Sequence, residues 1–305
     1  MNSAVTIGSR GSALALAQTT WVREKIKRSF PDIEVAVKVI KTSGDKDKTA
    51  SLRAPSTVGV FVKELEQALL SGKIDIAVHS MKDVPTQIAP DLQISAVPER
   101  EDTRDALIAN RAAVLSDLPP ASRIGTGSIR RQAQILSLRP DLRILDIRGN
   151  LETRLKKLRD GAYDAIILAC AGLRRLGLQD RISSSLDHSQ MLPAPGQGAL
   201  AIETRLRDPR LDAITAALNH RTTALAVFAE RTFLQNMGGG CNVPVAAYAH
   251  VEQNMIEIEG LVASADGKRI VRDSIRRDIE KSSEAAAILS HRILTRGGRD
   301  ILNAG

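Results

Sequence analysis

His79-Ser80-Met81-Lys82-Asp83-Val84-Pro85 is the stretch from which the fold can be read. The run before it, Ile74-Asp75-Ile76-Ala77-Val78, reads as a short buried parallel strand. Pro85 stops it, because proline has no N–H to give to a ladder. Lys82 and Asp83 then stand side by side at the carboxyl end of a strand, where open α/β sheets bind their ligands. A carboxylate beside an ammonium can hold a cation or move a proton. A solvated strand-end loop with an incidental ion pair has the same local sequence, so the rest of the chain must decide.

Upstream, Val5-Thr6-Ile7 reads as a strand, Gly8 to Ser12 as a turn with Ser12 as N-cap, and Leu14, Ala17, Trp21, Val22 and Ile26 as a helix. Glu34 to Lys41 alternates as a strand. Thr42 to Val58 is polar and aperiodic, a long loop that reads as a mobile lid. Phe61, Leu65, Ala68 and Leu69 form a helix ended at Gly72. This β-α-β-α-β order predicts a right-handed parallel-sheet unit.

Downstream, Leu92 to Val97 is a further strand, Glu99 to Asp102 a charged link, and Asp105 to Ala109 a new start. Ile124-Gly125-Thr126-Gly127-Ser128, followed by Ile129, Ala133, Leu136 and Leu138, echoes Ile7 to Ser12 and its helix, which suggests a weak internal duplication. Leu142–Ile147 (strand), Leu151–Leu158 (helix) and Ala165–Ala169 (strand) complete a second lobe. Leu192 to Gly198 reads as hinge-like, and Ala199 to Glu203 as a strand returning to the first sheet. A helix over Thr222–Gln235, a break at Gly238-Gly239-Gly240-Cys241, alternating strands turning at Asp266-Gly267 and a helix from Ser283 to Thr295 make a small α+β domain. The expected fold class is α/β: two lobes around a cleft, residues 1–98 with 199–216 and residues 104–192, plus a C-terminal α+β domain over 220–305.

The chain has 305 residues and 43% hydrophobic composition, an ordinary globular mix, and a net charge of +8 that points to anionic partners. Nucleic acid is a poor fit, because base stacking needs aromatics and these are only 2% of the chain. Two cysteines make no disulfide framework, which suits a reducing, cytoplasmic setting. No signal peptide or membrane span is visible. Scattered histidines and cysteines offer no metal-ligand spacing.

Arg10, Arg130, Arg131, Arg148, Arg154 and Arg175 each fall at or near a predicted strand-to-helix junction, with Ser9, Ser12, Thr126 and Ser128 adding donors. Guanidinium forks and helix N-termini suit a ligand with many carboxylates. A salt-bridged arginine surface is the plainer alternative. Cys170 lies in an apolar run and reads as core. Cys241 follows three glycines, so it reads as a loop thiol, either idle or an attachment point.

Val78 to Pro85, Arg148-Gly149-Asn150, Leu192-Pro-Ala-Pro-Gly-Gln-Gly198 and Gly239-Gly240-Cys241 occur in this order and resemble the porphobilinogen deaminase (hydroxymethylbilane synthase) family over nearly the whole chain. The resemblance implies a transferase of tetrapyrrole biosynthesis that joins four porphobilinogen units with loss of ammonia and releases linear hydroxymethylbilane. It implies lobes like those of periplasmic binding proteins, and a monomer with porphobilinogen as partner and neither nucleic acid nor membrane. It implies a covalent dipyrromethane cofactor on Cys241 through a thioether, with Asp83 catalytic and Lys82 beside it. By the same resemblance Ser12, Lys82, Asp83, Thr126, Ser128, Arg130, Arg131, Arg154 and Gly172 contact the cofactor. Arg10, Ser12, Gln18, Arg148, Arg154, Arg175 and Gln197 contact substrate.

The chain departs from the family in two places. Pro55-Ser56-Thr57-Val58-Gly59 stands where a Gly-Gly-Lys-Gly-like segment is usual, and Gly127 where serine is common. A non-catalytic carboxylate-binding protein of the two-lobe type remains the rival reading. It needs neither Asp83 nor Cys241.

Overall fold

The protein is described here by a computed structural model covering residues 4–41, 62–238 and 244–304. The expected lid over 42–59, Phe61 and Cys241 lie outside the described residues. In chain order the elements are β1 (Val5–Ser9), α1 (Ala13–Ser29), β2 (Val35–Val39), α2 (Lys63–Leu70), β3 (Ile76–Ser80), β4 (Leu92–Ala96), β5 (Asp105–Ala109), β6 (Arg123–Gly125), α3 (Ile129–Leu138), β7 (Arg143–Leu145), α4 (Leu151–Arg159), β8 (Ala165–Ala169), α5 (Cys170–Arg175) and β9 (Ser184–Leu186). Then come β10 (Leu200–Arg205), α6 (Asp212–Leu218), α7 (Arg221–Asn236), β11 (Val245–Glu252), β12 (Met255–Ala263), β13 (Ile270–Asp278), α8 (Ser282–Ile293) and α9 (Arg299–Asn303). The chain divides into two compact units, Met1–Glu101 with Ala199–Ala224, and Asp102–Gly198 with Leu225–Gly305.

In the first unit the strands run in the order β2-β1-β3-β10-β4. β1 is parallel to β2 and β3, as expected, but β10 is antiparallel to both its neighbours. The expected parallel unit of the first three strands is present, and the returning strand β10, whose direction the sequence left open, makes the sheet mixed. The reason is local: Met81 N–H donates to Ala199 O, so the chain re-enters at the carboxyl end of β3 and must run back along it. α1 starts where Ser12 Oγ accepts from Ala15 N–H, and ends with Lys27 and Arg28 against the negative end of its dipole. Val22 and Ile26 of α1, Ile214 of α6 and Leu211 from the turn before it close one face of the sheet over Ile7, Ile76 and Ile202. Leu65 and Leu69 of α2 close the other face over Ile74 and Ala77. Each such fully buried Leu or Ile contributes about 1.5–3 kcal/mol.

The first sheet of the second unit has the order β7-β6-β8-β5-β9, with β5 antiparallel to β8 and β9. Ser128 caps α3 and Asn150 caps α4. Ile135 of α3 packs on one face, and Leu155, Leu158 and Leu173 on the other. β7 is shorter than the expected Leu142–Ile147 strand. The third sheet, β11-β12-β13, is an antiparallel meander covered by Ala285, Ala286, Leu289 and Ile293 of α8 and by Phe233 of α7. α8 stops at Ile293, and a turn with Gly297 at φ +103° leads into α9.

Leu192–Gly198 is not the loose hinge its sequence suggests. Leu192 N–H donates to Gln134, Leu192 O accepts from Arg130 and Gln134, Gly196 N–H donates to Glu230, and Gly198 O accepts from Arg175. Side chains from three helices satisfy its backbone, so the segment is a buried strap.

Candidate active site

β3 places the opening motif. Its last residue, Ser80, is followed by a single 3-10 turn, Met81–Asp83, in which Met81 is fully buried, Lys82 half-buried and Asp83 exposed. The buried methionine anchors the turn, so Asp83 is presented from a rigid strand end. A cavity of about 420 Å³, counting space open to solvent, is lined by Arg10, Ser12, Gln18, His79, Ser80 and Asp83 with apolar neighbours. Gln18, buried in α1, donates from Nε2 to Ser80 Oγ at 2.9 Å and ties the helix to the end of β3. Of the five residues of this unit expected at the site, Arg10, Ser12, Gln18 and Asp83 line the cavity together, and Lys82 is not among the lining residues. Beneath them His79 Nε2 lies 3.0 Å from Glu203 Oε2, with both side chains almost wholly buried.

In the second unit Thr126 and Ser128 shape the first crossover. Thr126 Oγ1 accepts from Ser128 N–H, and Ser128 Oγ accepts from Arg131 N–H. Arg130 and Arg131 are buried, and both grip Asp105. Arg130 Nη2 donates to Oδ2 at 2.8 Å, and Arg131 donates to Oδ1 through Nε and Nη2 at 3.1 and 2.7 Å. Gln197 adds a third donor to Asp105 and also bonds Thr103 O. Burial alone would raise the Asp105 carboxyl, but the two guanidinium charges outweigh it and hold the carboxyl well below the usual carboxylate range. Burial, opposed by Asp105 and reinforced by Arg131, lowers Arg130.

At the second crossover Arg148 Nε donates to Asp146 Oδ2 at 2.8 Å, and Arg154 Nε donates to Gly149 O at 2.8 Å. Gly149 sits at φ +108°, a backbone that glycine adopts without strain. Burial lowers the Arg154 guanidinium, and the charges of Arg131 and then Arg148 push it the same way, with Asp146 opposing. Four guanidinium groups, Arg130, Arg131, Arg148 and Arg154, thus share two carboxylates, Asp105 and Asp146. Such crowding suits a ligand that brings its own carboxylates, so the residues present fit a dipyrromethane with acid side chains. Gly172 is half-buried in α5, and Arg175 Nη2 donates to Gly198 O at 2.6 Å. Gln197, expected at substrate, is fully buried and spends its amide N–H groups on protein oxygens.

The carboxylate Asp105 and the pair His79–Glu203 had no role in the sequence reading. Their signal was faint: one charged residue opening or interrupting an apolar run, in Asp105-Ala-Leu-Ile-Ala and Leu200-Ala-Ile-Glu-Thr. Cys170 is buried, and burial pushes its thiol up, as a core cysteine requires. Among the described residues no His, Cys, Asp and Glu cluster could hold a metal, and no helix is long and apolar enough to cross a membrane.

The first unit's α/β sheet ends in a cavity lined by Arg10 and Asp83, and the second unit's like-ordered sheet carries clustered guanidinium groups, which defines a two-lobed α/β protein. The family is specific. The model described as porphobilinogen deaminase, dipyromethane cofactor binding domain, matches residues 5–213, and that of the porphobilinogen deaminase C-terminal domain matches 224–295. The chain belongs to the porphobilinogen deaminase family. It is 48% identical over 299 residues to a porphobilinogen deaminase of Thermus thermophilus, covering 98% of each chain. It is also 48% identical to one of Pelobacter propionicus, covering 97% of this chain and 95% of that one. A solved periplasmic substrate-binding protein from Coxiella burnetii is more loosely similar, with 13% identity and a TM-score of 0.44 over 70% of this chain and 91% of that one.

Proposed function

We propose that this chain condenses four porphobilinogen units head to tail, releasing ammonia at each step and finally linear hydroxymethylbilane. The observation that carries the reading is the clustering of Arg130, Arg131, Arg148 and Arg154 about only two carboxylates, Asp105 and Asp146. Each pyrrole brings an acetate and a propionate, so a growing chain supplies the missing negative charge. Relatives named as deaminases favour catalysis over a purely carboxylate-binding protein.

Asp83 faces the carbon that loses ammonia. Its carboxylate stabilises the cationic azafulvene that forms on substrate, in a wall where Arg10 and Ser12 meet the acid side chains. Arg148, Arg154 and Arg175 hold carboxylates of substrate and product. Ser128, Arg130, Arg131 and Gly172 shape the cofactor's seat, with Asp105 and Gln197 holding the two arginines in place. Cys241 is the attachment point. Bound there through a thioether, dipyrromethane supplies the nucleophilic pyrrole that primes the chain.

The reading extends to three structural domains, supported by three sheets with core clusters of their own, and to a cytoplasmic monomer, which light scattering of the purified enzyme tests. The decisive experiment is intact-protein mass spectrometry with a porphobilinogen turnover assay. The wild type should carry a two-pyrrole mass excess, and Cys241→Ser should lose it while staying folded. An excess that persists, or that maps to Cys170 on digestion, overturns the assignment.

A further inference from the structure

The two sheets superpose in register, and this exposes one anomaly. Ile7 pairs with Ile76 and Gly8 with Ala77, as Ile124 pairs with Ala165 and Gly125 with Ile166. Ala201 pairs with His79 and Glu203 with Ala77, as Ala106 pairs with Leu168 and Ile108 with Ile166. His79 and Glu203 therefore occupy the positions that Leu168 and Ile108 hold in the second unit. There the pair is plain core, packed with Ile166 and Leu155. The sheet architecture needs no polar group at this point.

The first unit nevertheless buries a histidine and a carboxylate there. Glu203 is wholly buried, and its Oε1 has no hydrogen-bond partner. Such an arrangement destabilises a core relative to an apolar pair of similar volume. His79 also lines the cavity that holds Asp83, so the anomaly opens onto the proposed site. With Nε2 engaged by Glu203, Nδ1 is the ring nitrogen left for a ligand.

We propose that His79, held by Glu203 as a positioning residue, is the base that takes the proton released when each new pyrrole–pyrrole bond forms. The inference rests on the condensation proposed above. The C–N bond of the substrate's aminomethyl group, as its ammonium form, breaks with its electron pair on nitrogen, and ammonia leaves. The α-carbon of the preceding pyrrole unit attacks the electron-deficient methylene, and a C–C bond forms. The α C–H bond then breaks, its electrons restore the ring, and the proton passes to Nδ1. From there it goes to ammonia, giving ammonium. Glu203 accepts Nε2–H and so fixes the tautomer, and it balances the positive ring during transfer.

The charged groups around the ring, among the described residues, fit this role. Glu203 comes from β10, Glu66 from α2, Arg10 from the turn after β1, and Lys82 and Asp83 from the turn after β3. Burial, and next the charge of Glu203, raise the Glu66 carboxyl, while His79 opposes the rise. Asp83 remains the partner of the substrate cation, and His79 is the separate proton acceptor.

The test transplants the second unit's own pair. His79→Leu with Glu203→Ile in the holoenzyme should keep or raise the thermal midpoint and keep the cofactor mass. It should lower turnover by at least about 10²-fold. Glu203→Gln, which keeps an acceptor for Nε2–H but loses the charge, should lower turnover about 10–100-fold and displace the acidic limb of the pH–rate profile. Nitrogen NMR of labelled wild type should show His79 protonated on Nε2. If the double variant folds and turns over normally, or if it misfolds and Glu203→Gln shows wild-type rate and pH profile, the proposal fails. An Nδ1-protonated ring also overturns it. A wild type that releases no ammonia from porphobilinogen would instead defeat the underlying functional reading.

Discussion

The sheet β2-β1-β3-β10-β4 and the sheet β7-β6-β8-β5-β9 are one design used twice, yet they bury their charge at different points. The first carries Leu200 where the second carries Asp105, and His79–Glu203 where the second carries Leu168–Ile108. In the second, the buried carboxylate is saturated by two arginines and a glutamine. In the first, a carboxylate oxygen is left without a partner. A saturated cluster fixes the arginines of α3. The pair His79–Glu203 is satisfied at one carboxylate oxygen only. The shared topology shows that neither is a requirement of the fold.

The largest expected effect comes from erasing this difference in the second unit. Asp105→Leu, the first unit's residue, leaves two buried guanidinium groups uncompensated and should destabilise by about 3–5 kcal/mol. Urea denaturation across pH sharpens the point. The folded pKa of Asp105 lies below the unfolded value of about 3.9, so its contribution is fully present above that value. The wild-type advantage should be flat from about pH 5 to 8 and shrink only as acid titrates the folded carboxylate. An advantage that peaks in acid would contradict the cluster's role.

Asp83→Asn comes next. It keeps the shape of the 3-10 turn but removes the charge, and turnover should fall ~10²–10³-fold with the thermal midpoint unchanged. Near-normal turnover would move the site away from β3. The glycines of the two first crossovers test whether the echo in sequence is structural. A Cβ on Gly125 would stand 2.9 Å from both Ile166 and Tyr163, so Gly125→Ala should cost about 1–3 kcal/mol. Gly8→Ala meets the end of the Ile74 side chain, which can swing, and should cost less. Equal costs would say the two turns pack alike. The smallest effect is at half-exposed Glu66. Burial and Glu203 raise its pKa, so its ionisation opposes folding as pH rises through the folded value. Glu66→Gln should raise the thermal midpoint slightly at pH 7 and leave it unchanged near pH 4.

Much of this was legible in order along the chain. The helix start at Ser12 follows from capping chemistry within three residues, a signal that Ser128 and Asn150 also carry in the structure, and buried strands follow from apolar runs closed by glycine or proline. Those signals are short-range, so a linear reading finds them. The motif around Asp83 and the echo between the two glycine turns were visible for the same reason.

What the sequence by itself determined is most of the elements, though not β9, α5 or α6, together with the repeat of the lobes and the excess of arginine at their turns. The tertiary structure alone decided which arginines are tied inward, why Leu192–Gly198 is a strap, and that β10 runs against its neighbours. It also decided that residues 124 positions apart, His79 and Glu203, share a hydrogen bond. Periodicity reports the neighbours of a residue along the chain. Strand order and direction decide its neighbours across the sheet, and the chemistry of a buried charge depends on the latter.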